Sequence, residues 1–176
     1  MKGTITKCLA ELVKKEFGPE RWDAIVQDAK VDAATVSLLT LPVSDVDDEV
    51  AGRLFESTCR VLGVSLEQAA DAFGEYWCCT YAPHVYPETM NKFKDAREAI
   101  LALDQVHVRV TSMMKNARPP RFDYRWIDDD TLDVTYRSHR KLIQIYIGLA
   151  RGVGAYFGEA LTVRQVAADR VRIEFA

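Results

Sequence analysis

Apolar side chains recur every three or four residues over most of the first two thirds of the chain, and every two residues over much of the last third. Ile5, Cys8, Leu9, Leu12, Val13 and Phe17 make one helical stripe over residues 2 to about 17, stopped by Gly18-Pro19. Pro is tolerated in a first helical turn, so a second helix is expected from Pro19 to about Ala29. The stretch VDAATVSLLTLPVSD reads as irregular connection, because Pro42 argues against a regular element across it. Ser44 or Asp45 is placed to cap a third helix, and the acidic residues at 45, 47, 48 and 49 suit its N-terminal turn. Val50, Leu54, Phe55, Thr58 and Leu62 share its face, and Gly63 ends it. Ser65 and Gln68 stand at capping-box spacing for a fourth helix running through Phe73, Tyr76 and Trp77.

Pro83 and Pro87 bracket a break, and Phe93, Ile100, Leu103, His107, Val110 and Met114 then describe one long helix ending near Asn116. Pro119-Pro120 fixes a sharp exit. RFDYRWI and TLDVTYRS alternate apolar with polar residues around an acidic turn, Asp128-Asp129-Asp130, and read as a hairpin. KLIQIYIGLARGVGAYFG returns to helical period, and ALTVRQVA and RVRIEFA close the chain as two strands turning at Ala168-Asp169. Connections this short favour one four-stranded antiparallel sheet. The expected class is α+β, a helical N-terminal subdomain followed by a C-terminal subdomain of sheet and helices, with residues 1–176 forming a single domain.

Composition narrows the classes. A chain of 176 residues with 48% hydrophobic and 28% charged residues is neither disordered nor coiled coil, and a net charge of −3 offers no basic surface for nucleic acid. No apolar run reaches the roughly 18 residues of a membrane helix. Lys7, Glu11 and Lys14 interrupt the N-terminal stripe that a secretory signal would need unbroken, so a cytoplasmic protein without membrane insertion is expected. Cys78-Cys79 lacks the spacing of a zinc or redox pair, and Cys8 and Cys59 stand alone. All four cysteines read as buried free thiols.

No phosphate loop, nucleophile elbow or zinc-protease motif is present. Two features remain. His107 sits in mid-helix on a face with Leu103, Val110 and Met114. A histidine there is either a core residue bonded to a backbone carbonyl or a ligand to metal or haem. Tyr136, Ser138 and Arg140 alternate in YRSHR at a predicted strand end, which turns them to one face with Arg137 and His139 opposite. That trio is either a site for carboxylate or phosphate or a solvated arginine beside a filler tyrosine. Together the features suit a buried planar ligand with iron on one side and carboxylates at its edge.

MKGTI at the start, the histidine in LDQVHVRV, the ARPPRF step and the YxSxR pattern in YRSHR occur in the order and spacing of a known family. Along essentially its whole length the chain resembles the haem nitric oxide/oxygen binding domains, the family that includes the haem domain of soluble guanylate cyclase. The resemblance implies haem b (iron protoporphyrin IX) held between the two subdomains. It makes His107 the proximal iron ligand and Tyr136, Ser138 and Arg140 the propionate site. Pro119 would press on and distort the porphyrin, and Ile5, Leu9, Ile145 and Leu149 would line the pocket. Family members that hold oxygen resemble one another in a tyrosine five residues after the motif's arginine. Ile145 stands there, with Tyr146 beside it, and Leu9 replaces an aromatic common in the family.

Carried over to this chain, the resemblance implies a sensor that binds nitric oxide, and also carbon monoxide, at ferrous haem while discriminating against oxygen. It implies no enzymatic activity. Chain length leaves no room for an output domain after residue 176, so the expected partner is separate: a histidine kinase, a cyclic-di-guanylate enzyme or a chemotaxis receptor. The rival readings are a haem-free interaction module of the same fold and a small haem enzyme.

Overall fold

Six of the nine α-helices and all four strands fall in the order that the apolar spacing predicts. They are seen in a computed structural model that describes all 176 residues and divides into two compact units. Residues 1–69 with 114–117 make one unit, and residues 70–113 with 118–176 make the other.

In the first unit, α1 (Gly3–Phe17) buries Cys8, Leu9, Leu12 and Val13 along the predicted stripe. Gly18, at φ 91°, makes the turn into α2 (Pro19–Asp28), a conformation few other residues tolerate. The expected irregular stretch instead contains a short helix, α3 (Ala33–Val36), and a 3₁₀ turn over Ser37–Thr40. Asp32 is the reason, since its carboxylate accepts the Thr35 N–H at 3.0 Å and caps α3. Pro42 lies beyond both elements. Helix α4 (Asp48–Leu62) is capped by Asp47, not by Ser44 or Asp45. The Ser44 hydroxyl is occupied by the Leu38 carbonyl at 2.6 Å, and Asp45 by the Lys2 ammonium at 2.6 Å.

Helix α5 (Leu66–Tyr76) opens on the predicted capping box, with Ser65 N–H donating to Gln68 at 2.8 Å and Gln68 N–H to Ser65 at 3.1 Å. In the second unit the chain does not break at Pro83. A π-helical turn, Trp77–Tyr81, leads directly into α6 (Ala82–Val85), and Pro83 occupies an early position where its missing N–H is not needed. Pro87 opens α7 (Pro87–Met90). Helix α8 (Ala96–Thr111) is shorter than the pattern suggests, because Asp95 caps it by accepting the Glu98 N–H at 2.7 Å and excludes Phe93.

Strands β1 (Arg121–Trp126) and β2 (Thr131–Arg137) form the expected hairpin. After α9 (Ile143–Phe157), β3 (Leu161–Ala167) and β4 (Arg170–Phe175) complete one antiparallel sheet in the order β1-β2-β4-β3. Phe122, Leu132, Val134, Tyr136, Val171 and Ile173 point from one sheet face into a core shared with Ile100, Ile143, Tyr146 and Ile147 of the helices. On the opposite face Asp133, 2% exposed, accepts from Arg172 at 2.7 Å and Arg125 at 3.2 Å, so its buried charge is compensated. No helix is long and apolar enough to cross a membrane.

Candidate functional site

Three glycines, Gly74, Gly148 and Gly152, set the contact between α5 and α9. Gly148 and Gly152 on α9 lie against α5 so closely that a Cβ on Gly148 would sit 2.0 Å from the Ala70 carbonyl oxygen, and one on Gly152 2.2 Å from that of Gly74. A Cβ on Gly74 would in turn meet the Gly148 carbonyl oxygen at 2.0 Å. Small residues therefore let the α5 and α9 backbones touch. The four-residue spacing of Gly148 and Gly152 is a signal in the sequence that sequence reasoning passed over. The Cys78 thiol adds to this contact by donating to the Leu149 carbonyl at 3.6 Å.

His107 stands near the C-terminal end of α8, with its ring centroid 5.6 Å from that of Phe122 on β1. The residue is part-buried, yet its Nδ1 is enclosed and has no hydrogen-bond partner. Burial pushes the imidazole below its ordinary pKa, opposed by the Pro120 carbonyl, which accepts from the ring, and by the Asp104 carboxylate one turn earlier. Asp104 went unnoticed in the sequence. It accepts from Arg121 Nε and Nη2, each at 2.7 Å, and from the Phe122 N–H at 3.0 Å, so the helix bearing His107 is bolted to β1. The Arg121 fork holds its carboxyl down to about 2.

Tyr136 ends the buried face of β2, but β2 stops at Arg137. Ser138 and Arg140 therefore do not alternate along a strand as expected. They sit in a turn, where Lys141 takes the left-handed conformation at φ 54° and the Arg140 N–H donates to the Ser138 hydroxyl at 3.2 Å. The turn brings the trio together all the same. Burial raises the pKa of the Tyr136 hydroxyl, while hydrogen bonds from the Ser138 hydroxyl and the Leu142 backbone, with the nearby Arg140 charge, oppose that rise. Arg140 also donates to the Arg118 carbonyl. The segment Arg118-Pro119-Pro120 is thus tied to Arg140 at its first residue and to the His107 ring at its third, with Pro119 between.

Ile145 is buried and Leu149 part-buried on α9. Tyr146 points into the sheet core, with its ring 4.9 Å from that of Phe122 and 5.7 Å from that of Tyr136. Ile5, part-buried, and Leu9, buried, lie on α1 in the other unit. Of the cysteines, Cys8 and Cys78 are buried as expected, Cys59 is partly so, and Cys79 is exposed because the π-helical turn directs it outward.

A part-buried imidazole whose enclosed Nδ1 is unmatched by protein, in one unit with a strand end and turn that gather two hydroxyls and a guanidinium, fits a group carrying both a metal and carboxylates. Comparison with known proteins points the same way. The model of a family described as Haem-NO-binding matches residues 2–165. Soluble guanylate cyclase gcy-35 of Caenorhabditis elegans is 26% identical over 170 residues, 94% of this chain and 24% of that protein, so the chain spans about a quarter of its relative's length. An H-NOX protein from S. oneidensis, solved in the Fe(II)NO ligation state, superposes with a TM-score of 0.86 at 16% identity, covering 100% of this chain and 99% of that one. The unliganded Fe(II) H-NOX protein from K. algicida gives 0.83 at 19% identity over 100% and 97%. At such identities the structural likeness speaks for the fold.

Proposed function

Because the chain belongs to the Haem-NO-binding family, a family of haem-based gas sensors, we propose that it senses nitric oxide through ferrous haem b, holds oxygen poorly and reports to a signalling partner without catalysing a reaction. One observation carries the reading. The part-buried His107 ring, its Nδ1 unpartnered, and the Tyr136-Ser138-Arg140 turn share one cluster through Phe122 and the Arg118–Pro120 segment.

Haem, when bound, would supply a ferrous iron able to take a diatomic gas. The rest is done by the chain's own residues. His107 is the residue that would hold the iron, its Nδ1 being enclosed and unmatched by protein. Arg140 offers a planar fork to carboxylates, and Tyr136 and Ser138 add directed hydroxyls. Pro119, fixed between two anchored neighbours, is the rigid contact expected to bend a porphyrin. Ile145 and Leu149 on α9 would contribute apolar lining. Ile145 has no donor for bound oxygen, which carries partial negative charge, whereas nitric oxide and carbon monoxide depend on one far less. Asp104, clamped by Arg121, transmits the position of α8 to β1. A shift of α8, which carries His107, against the sheet would be a two-state change of surface that a partner such as a histidine kinase, a cyclic-di-guanylate enzyme or a chemotaxis receptor can read.

The test is an absorption spectrum of the reduced protein. A haem Soret band that shifts with nitric oxide and with carbon monoxide but not with air is expected. His107→Gly should lose iron coordination and regain it with added imidazole. A protein that takes up no haem when haem is plentiful would sink the proposal and favour a haem-free interaction module; rapid peroxide turnover would favour an enzyme.

A further inference from the structure

Two buried side-chain atoms lack any hydrogen-bond partner, Nδ1 of His107 and the hydroxyl of Tyr146. Unpaired polar atoms in a native interior are rare enough that each calls for a reason. Both rings lie against the same residue, Phe122, at centroid distances of 5.6 and 4.9 Å. Helical side chains lean toward the preceding turn, which for His107 is the turn of Asp104. Tyr124 stacks on the same Phe122 ring at 6.5 Å and its hydroxyl accepts the Asp104 N–H at 3.3 Å, while its charge bears on the Tyr146 hydroxyl.

We propose that Tyr146 is a positioning residue for His107, its hydroxyl joined to Nδ1 through one buried water that Tyr124 also contacts. Such a water has three polar partners, which is what a stable internal water needs. The inference rests on His107 as the iron ligand only for its consequence. A histidine bound to metal through one nitrogen normally donates its other N–H to a fixed acceptor, which sets the ring's orientation and raises its basicity. Here Tyr146 anchors that acceptor. It stands on α9 directly after Ile145, so the helix expected to exclude oxygen would also govern the orientation of His107.

Tyr146→Phe removes the oxygen and keeps the ring, so the aromatic packing survives. In the ferrous haem-loaded variant the iron–histidine stretch, read by resonance Raman, should fall in frequency, and loss of the histidine bond after nitric oxide addition should accelerate. In the haem-free protein the side-chain ¹⁵N spectrum of His107 should show a changed balance of ring tautomers. An unchanged stretch, or unchanged His107 nitrogen shifts, overturns the proposal. A wild-type protein that binds no haem overturns the sensor reading instead, and the nitrogen spectrum still decides the role of Tyr146.

Discussion

At the scale of single residues, His107 joins chemistry to stability. Burial lowers its pKa below the ordinary 6.5, so the folded protein resists a proton that the unfolded chain accepts. The contribution is whole above about pH 6.5 and is lost progressively as pH falls from there toward the depressed native value. Denaturant melts of the haem-free protein should therefore show stability falling between about pH 6.5 and 5, where ordinary carboxylates scarcely titrate. His107→Gln should flatten that limb, and an identical slope in both proteins would refute the assignment. Asp104 acts in the other window, keeping its clamp on Arg121 above the ordinary carboxylate range and yielding it only as pH falls toward about 2.

Among elements, the α5–α9 contact has the narrowest tolerance. Gly148→Ala gains about 1 kcal/mol of helix propensity but drives a methyl group to 2.0 Å from a backbone oxygen that cannot swing aside. Overpacking of this kind costs about 1–3 kcal/mol or more, so a net loss of stability is expected in urea unfolding. A variant as stable as the parent would show that the helices can part freely. The same contact explains why α9 can carry Ile145 and Leu149 on a fixed backbone. Its neighbour across the contact, α5, continues through the π-helical turn at Trp77–Tyr81, where Trp77 and Tyr81 stack at 5.2 Å.

For the molecule as a whole, a ligand that binds only the folded state stabilises it in proportion to the logarithm of its concentration. If haem is held as proposed, the melting temperature should climb with added haem, by the equivalent of roughly 2.7 kcal/mol at a hundredfold excess over the dissociation constant. The rise should shrink in His107→Gly and in Arg140→Ala. A melting temperature indifferent to haem would count against the cofactor whatever the spectrum of trace-loaded protein showed.

Much of this was open to reading in the residues alone, since helix stripes, caps and strand alternation are local and each carries its own period. The α1 stripe and the Ser65–Gln68 capping box depend on neighbours at most a few residues apart, and the β1–β2 hairpin on the alternation of two adjacent segments around one turn. Spacing also marked His107 and the YRSHR turn, because functional side chains had to recur in a fixed order. Tertiary structure decided the rest. Asp47 won the cap of α4 only because distant Lys2 and Leu38 had already engaged Asp45 and Ser44. The trio of Tyr136, Ser138 and Arg140 meets through a left-handed turn at Lys141 rather than through strand alternation. That Asp104 bolts α8 to β1, and that Tyr146 turns into the sheet core against Phe122, depends on contacts 17 to 24 residues apart along β1 and α9. No local pattern encodes such contacts, because burial and pairing are properties of the packed chain.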